Sequence, residues 1–278
     1  MIQFQTNGLA VFESALQQTT STVVETDHFI LVVDPNWLPH EIKEIQQYVA
    51  KIRNGKELYL LFTHGDFDHI IGYGAFPDAK VIASKGLQNH PNKSYKLELI
   101  QQFDNDYYIS RPYPIAFPNV DIVIEEDGET LKIGDYRLTF YLSPGHTHDG
   151  LFTVIEPSGI WITGDYLSDF ELPLISDGAK NYNETLEKAE EILRSHTLNV
   201  LVPGHGQIAE QKEEMFRRIK LSREYLNRLV HAVRKEDEET IAVLEQELPF
   251  QSSFTAKCHT KNIAIIQDEY IEEYENED

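Results

Sequence analysis

The sequence predicts a mixed α/β domain over residues 1–209 followed by a helical cap over 210–278. Short apolar runs of β character alternate with Gly, Pro, Asn and Asp clusters up to about residue 209. From there glycine disappears and Glu, Lys, Arg and Leu dominate. Four of the predicted strands also end in loops that carry His and Asp, which gives the first part a functional edge.

The elements follow in order. Ile2–Gln5, Leu9–Phe12 and Phe29–Val33 read as strands, the last stopped by Asp34-Pro35-Asn36. Pro39 suits an early helix position, and Ile42, Ile45, Val49 and Ile52 recur at helical steps up to Asn54-Gly55. Leu58–Phe62 is apolar throughout, as a strand buried on both faces must be. The segment from Thr63 to His69 is short and polar and reads as a loop. Val81–Ala83 is another strand, followed by helical stretches to about Phe103 and an irregular Tyr- and Pro-rich segment over 104–118. Strands then dominate at Ile122–Ile124, Arg137–Leu142, Leu151–Ile155 and Ile160–Thr163. A helix from Asn183 to about Arg194 precedes a strand at Leu198–Val202. In the cap, Met215, Phe216, Ile219, Leu226, Leu229 and Val233 fall at helical spacing, with further helices near Glu238–Leu248 and Lys261–Tyr274. The acidic stretch Asp268–Asp278 reads as a solvated helix face with a frayed end.

With 46 acidic residues against 24 Lys and Arg, the net charge of −22 repels phosphate backbones and anionic membranes. A small-molecule partner is expected, with no nucleic acid and no membrane. The single cysteine, Cys258, suits a reducing compartment, and the first basic residue is Lys43, so a charged secretory n-region is missing. A cytoplasmic location is the expectation. No G-x-S-x-G elbow and no phosphate loop occur, which excludes the serine-hydrolase and nucleoside-triphosphatase readings.

The chemistry lies in four loops, each directly after a predicted strand: His64–His69, Gly145-His146-Thr147-His148, Gly164-Asp165 and Gly204-His205-Gly206. Imidazole and carboxylate are the ligands that hold Zn, Mn or Fe, and glycine beside them lets the backbone turn sharply. A lone loop histidine is ordinarily solvated; four strand-end loops with the same residue types point to a metal centre.

The ordered set His64-x-Asp66-x-Asp68-His69, then His146, Asp165 and His205, resembles the metallo-β-lactamase superfamily, whose signature is H-x-H-x-D-H followed by H, D and H. The resemblance covers residues 1 to about 209 and includes Asp34-Pro35. It implies an α+β fold, a four-layer αββα sandwich with helices outside two central sheets, here with a C-terminal helical extension. It also implies two divalent ions: one on His64, Asp66 and His146, the other on Asp68, His69 and His205, with Asp165 between them. Such enzymes hydrolyse with a metal-bridging hydroxide. Asp68 is then placed to relay a proton to the leaving group, and His148 and His259 are candidates for contacting substrate or protonating the leaving group.

Asp66 departs from the pattern, which usually has His there. The usual two aspartates and a hydroxide leave two divalent ions with one net positive charge, and a third carboxylate brings the first shell to neutrality. Oxygen in place of imidazole also favours harder ions, so Mn or Fe is expected to compete with Zn, or activity to lie at mildly alkaline pH. The leading function is hydrolysis of a small-molecule ester, thioester or lactone, as in glyoxalase II-like and lactonase-like relatives, although Ser168 stands where lactonase-like members place tyrosine. Two alternatives remain open. One is a diiron-type oxidoreductase, whose relatives carry a carboxylate at this position and a fused flavin domain for which 278 residues leave no room. The other is a non-catalytic ligand-binding protein that retains the metal site.

Overall fold

The structure is a computed structural model that describes residues 1–275; the end of the acidic stretch, 276–278, lies outside the described residues. The first sheet takes its strands in chain order: β1 (Ile2–Thr6), β2 (Leu9–Glu13), β3 (Thr20–Glu25), β4 (Phe29–Val33), β5 (Glu57–Leu61), β6 (Lys80–Ser84) and β7 (Ile122–Ile124). It is antiparallel from β1 to β4 and parallel from β4 to β7. The second sheet contains β8 (Thr130–Ile133), β9 (Tyr136–Leu142), β10 (Leu151–Glu156), β11 (Ile160–Ile162) and β12 (Val200–Val202), ordered 12-11-10-9-8. Helices α1 (Pro39–Ile52), α2 (Phe67–Ile70), α3 (Lys85–Gln88) and α4 (Lys93–Asp106) belong to the first half. Helices α5 (Ala179–Ser195), α6 (Lys212–Arg234), α7 (Glu238–Gln246) and α8 (Ser253–Glu275) belong to the second.

The all-apolar strands explain the layers. Successive side chains on a strand face opposite ways. In β4, Ile30 and Val32 join Ile42, Ile45 and Val49 of α1 in an outer core, while Phe29, Leu31 and Val33 face the second sheet. That inner core includes Leu138, Phe140, Ile155 and Val202. The opposite face of the second sheet, with Phe152, Val154, Trp161 and Leu201, packs on α5, and the apolar residues of α6 to α8 continue that cluster. The four-layer αββα sandwich expected from the sequence is therefore the fold, and the cap is built into its outer helical layer.

Several local readings differ. Thr63–His69 is not all loop, because Phe67–Ile70 forms one helical turn begun by His69 N–H donating to Asp66 O at 3.0 Å. Strands β3 and β8 were not expected: Thr20-Ser21-Thr22 has no apolar alternation, and Leu131 and Ile133 give only two apolar positions. Helix α5 starts at Ala179 instead of Asn183. Its first two N–H groups donate to the Glu269 carboxylate on α8, at 2.8 and 3.2 Å, a cap supplied from a distant part of the chain.

Candidate metal centre

The four chemistry-bearing loops leave the same edge of the sandwich. Strand β11 runs parallel to β12 and antiparallel to β10, and β10 is antiparallel to β9, so β9, β11 and β12 all end on one side. The loop after β5 joins them: Leu151 N–H donates to Thr63 O at 2.8 Å, and Gly204 N–H to Gly164 O at 2.6 Å. Gly204 is required by close approach, since a Cβ there would lie 2.3 Å from Asp165 Oδ1.

This edge brings His64, Asp66, Asp68, His69, His146, Asp165 and His205 together, and Asp66, Asp68, His146, Asp165 and His205 of this set line a cavity of about 480 Å3. Asp165 is central. Its Oδ1 lies 3.0 Å from His69 Nε2, and its Oδ2 lies 3.2 Å from His146 Nε2, 3.3 Å from His205 Nε2 and 3.7 Å from His64 Nε2. Asp66 Oδ2 is 3.5 Å from His146 Nε2 and 3.9 Å from His64 Nε2; Asp68 Oδ2 is 3.5 Å from both His69 and His205 Nε2. His64, Asp66 and His146 thus make one group whose ligand atoms converge, and Asp68, His69 and His205 another.

The donor set fits metal ions. The Nε2 atoms of His64, His69 and His146 and Oδ1 of Asp165 are buried without a hydrogen-bond partner. Burying such groups unpaired is costly unless something else satisfies them. Each imidazole meanwhile engages the protein through Nδ1. His69 Nδ1–H donates to Asp34 Oδ2 at 2.9 Å, His146 Nδ1–H to Leu174 O at 2.8 Å, and His205 Nδ1–H to Gln17 O at 3.0 Å. His64 Nδ1–H donates to Thr63 Oγ1 at 3.0 Å, and that hydroxyl donates to Asp34 Oδ2 at 2.6 Å. The outer partners fix all four tautomers with Nε2 free to bind an ion, the arrangement that metal-ligating histidines need.

Some important residues had no legible signal. Asp34 reads as a turn residue, yet it orients His64 and His69 together. Lys96 gives its ammonium to Asp66 Oδ1. Glu171, from an irregular segment, lines the cavity 3.9 Å from His205 Nδ1, and burial pushes its carboxyl up to about 7. The cavity walls include Tyr95 and Leu99 of α4, Leu172 and Leu174, and Phe254 of α8.

Of the candidate substrate residues, Asp68 and the exposed His148 line the cavity. The His148 ring lies 5.0 Å from that of His90 at an inclination of 53°, and the two with Asp149 make a further group of nearby ligand types. That group is unlike the other two: His90 Nδ1 accepts the Asn92 N–H at 3.0 Å, which leaves Nε2 protonated and a donor. His259 is a correction, for the structure does not bring it to the cavity. Phe254, Thr255, Cys258 and Lys261 of α8 line the cavity, whereas His259 does not and is held within the cap. There His259 is 2% exposed, accepts the Tyr225 hydroxyl at Nδ1 over 2.9 Å and donates from Nε2 to Ile241 O at 3.2 Å. Tyr166, adjacent to Asp165, is also structural: its hydroxyl donates to Pro144 O at 2.7 Å and accepts the His146 N–H at 3.0 Å.

Comparisons with known proteins agree with this geometry. The chain is 27% identical over 192 residues to the probable metallo-hydrolase YqgX of Bacillus subtilis (strain 168), covering 68% of this chain and 85% of that one. It is 24% identical over 206 residues to a metallo-beta-lactamase type 2 of Bacillus cereus, covering 73% of each. Two solved structures share the fold: the sec-alkylsulfatase Pisa1 from Pseudomonas sp., with a TM-score of 0.69 at 14% identity, and the metallo-beta-lactamase family protein TTHA1429 from Thermus thermophilus, with 0.66 at 16%. The match to each covers 96% of this chain, but only 49% of the alkylsulfatase against 94% of TTHA1429, so this chain spans about half the length of the former. The family model of the metallo-β-lactamase superfamily matches residues 15–223, three quarters of the sequence and every one of the seven clustered His and Asp residues, and the chain belongs to that superfamily of metal-dependent hydrolases.

Proposed function

We propose that the protein is a binuclear metallohydrolase of a small-molecule ester, thioester or lactone, with His64, Asp66 and His146 on one ion, Asp68, His69 and His205 on the other, and Asp165 between them. The convergence of bare, buried Nε2 atoms and three carboxylates beside the cavity carries this reading. Two divalent ions bound there supply Lewis-acid polarisation and an activated water. The chain supplies the rest. Asp34, Thr63, Gln17 and Leu174 hold the imidazoles in one orientation, so nothing has to reorganise during reaction. Tyr95, Leu99, Leu172 and Phe254 give the cavity apolar wall segments against which an acyl or ring group can pack. His148 at the wall is placed to contact substrate. Asp68, which lines the cavity, is placed to pass a proton to the leaving group. The oxygen donor at Asp66 favours Mn or Fe over Zn. The excess of acidic residues favours a small substrate over nucleic acid, and the lone cysteine a reducing compartment such as the cytoplasm. Among the described residues no helix is long and apolar enough to cross a membrane.

The test is metal content by mass spectrometry together with rates on esters, thioesters and lactones after loading with Mn, Fe or Zn. Two ions per chain and hydrolysis abolished by His64→Ala are expected. One ion or none, with no turnover under any metal, would move the protein to a non-catalytic binding role; iron with a visible absorption band and no hydrolysis would make it an oxidoreductase.

A further inference from the structure

Asp66 is where this chain departs from the superfamily's usual imidazole, and its two carboxylate oxygens face different partners. Oδ2 turns to the metal cluster, 3.5 Å from His146 Nε2 and 3.9 Å from His64 Nε2. Oδ1 accepts the Lys96 ammonium. Lys96 stands on α4, which packs against α2 beside the motif loop, and its side chain is only 17% exposed. Its neighbour Tyr95 is 56% exposed, so α4 turns the aromatic ring outward and the ammonium inward. A lysine drawn from water to that extent in place of a solvated one is costly unless a carboxylate meets it.

A bare carboxylate differs from imidazole in two ways: it adds a negative charge, and it offers two competing oxygens. The ammonium removes both differences, since it occupies one oxygen and offsets the charge. We propose that Asp66 and Lys96 form a composite ligand that takes the place of a histidine, with Lys96 as the positioning residue that leaves Oδ2 as the single ligand atom. The proposal rests on the metal centre described above and goes beyond it. The charge balance of the centre is then that of the all-histidine pattern, and the neutral centre inferred from the ligands alone does not arise.

The two positions should therefore show reversed effects when changed singly and together. Metal-free full-length protein is loaded with Mn or Zn, the affinity for each ion read by chelator competition and the stoichiometry by mass spectrometry. Lys96→Met, which frees the carboxylate, is expected to weaken one of the two ions by about ten- to hundredfold, as removal of an outer-shell partner does. Asp66→His with Lys96 retained is expected to weaken the same ion, because an unpaired ammonium now faces it. The double variant Asp66→His/Lys96→Met is expected to recover to within several-fold of the starting protein. Lys96→Arg should retain both ions and serves as the conservative arm if Lys96→Met does not fold, which circular dichroism of the metal-free form reports. Equal losses from Lys96→Met in the wild-type and Asp66→His backgrounds, or none in the former, would overturn the pairing. Wild type that binds no ion at all would remove the metal centre itself, and the pairing with it.

Discussion

A carboxylate that accepts three hydrogen bonds cannot become an amide without turning a donor toward a donor. Asp34 is in that position: Oδ1 takes the Thr63 N–H at 2.9 Å, and Oδ2 takes both the Thr63 hydroxyl and His69 Nδ1–H. Asp34→Asn is therefore expected to disorient one imidazole from each half of the centre and weaken metal binding by about ten- to hundredfold, read by chelator competition. Unchanged affinity would show that the imidazoles are held by packing alone. At the same scale, Cys258 lines the cavity but is no nucleophile, because burial pushes its thiol up to about 11. The thiolate is the reactive form, and it is scarce until the pH approaches that value. Iodoacetamide at mildly alkaline pH is expected to label the native protein far more slowly than the unfolded chain. Equal rates would mean that α8 does not close over this wall of the cavity.

Among the elements, α6 ties the cap to the metal loops through one residue. Arg218 is 4% exposed and donates to Leu167 O at 3.1 Å and Gln207 O at 2.7 Å, beside Asp165 and His205 respectively. Arg218→Ala strands buried carbonyls and is expected to cost about 2–4 kcal/mol in denaturant unfolding. A change within experimental error would show that water replaces the guanidinium. The partner of Arg218 on the same helix, Glu214, is held down to about 2, first by its hydrogen bond to Arg217 and then by that to Arg218. Its folded value lies below the ordinary 4.5, so its stabilisation is present above pH 4.5 and fades as pH falls toward 2. The Glu214 side chain is 29% exposed, so solvent screens part of the effect. The thermal midpoints of wild type and Glu214→Gln should differ near neutral pH and converge near pH 2; a constant gap would contradict the assignment.

For the whole molecule, the cap is a layer of the sandwich. Met215, Ile219, Leu226 and Ile266 share one cluster with Leu186, Ile192 and Leu193 of α5. A chain ended at residue 209 would expose that face of α5 and lose the Glu269 cap on its first turn. Such a fragment is expected to aggregate or bind hydrophobic dye; a soluble, cooperatively folding fragment would show that 1–209 is an independent domain.

The layers were legible because β4 and all but the first residue of β5 are apolar, which only burial on both faces explains, and because α1 keeps its apolar residues at helical steps. The seven metal-centre candidates were legible for a related reason: ligand chemistry restricts residue types, and strand ends in a layered α/β fold place distant loops on one edge. The sequence by itself therefore determined the fold class and which loops carry the chemistry. Only tertiary structure decided which neighbours act on them. Lys96 reaches Asp66 across 30 residues, Asp34 reaches His69 across 35, and Glu269 caps α5 across 90. His259 fails to reach the cavity although Cys258 beside it does. These are matters of which way a side chain points once two elements pack, and periodicity along one element holds no information about the partner that packing brings to it.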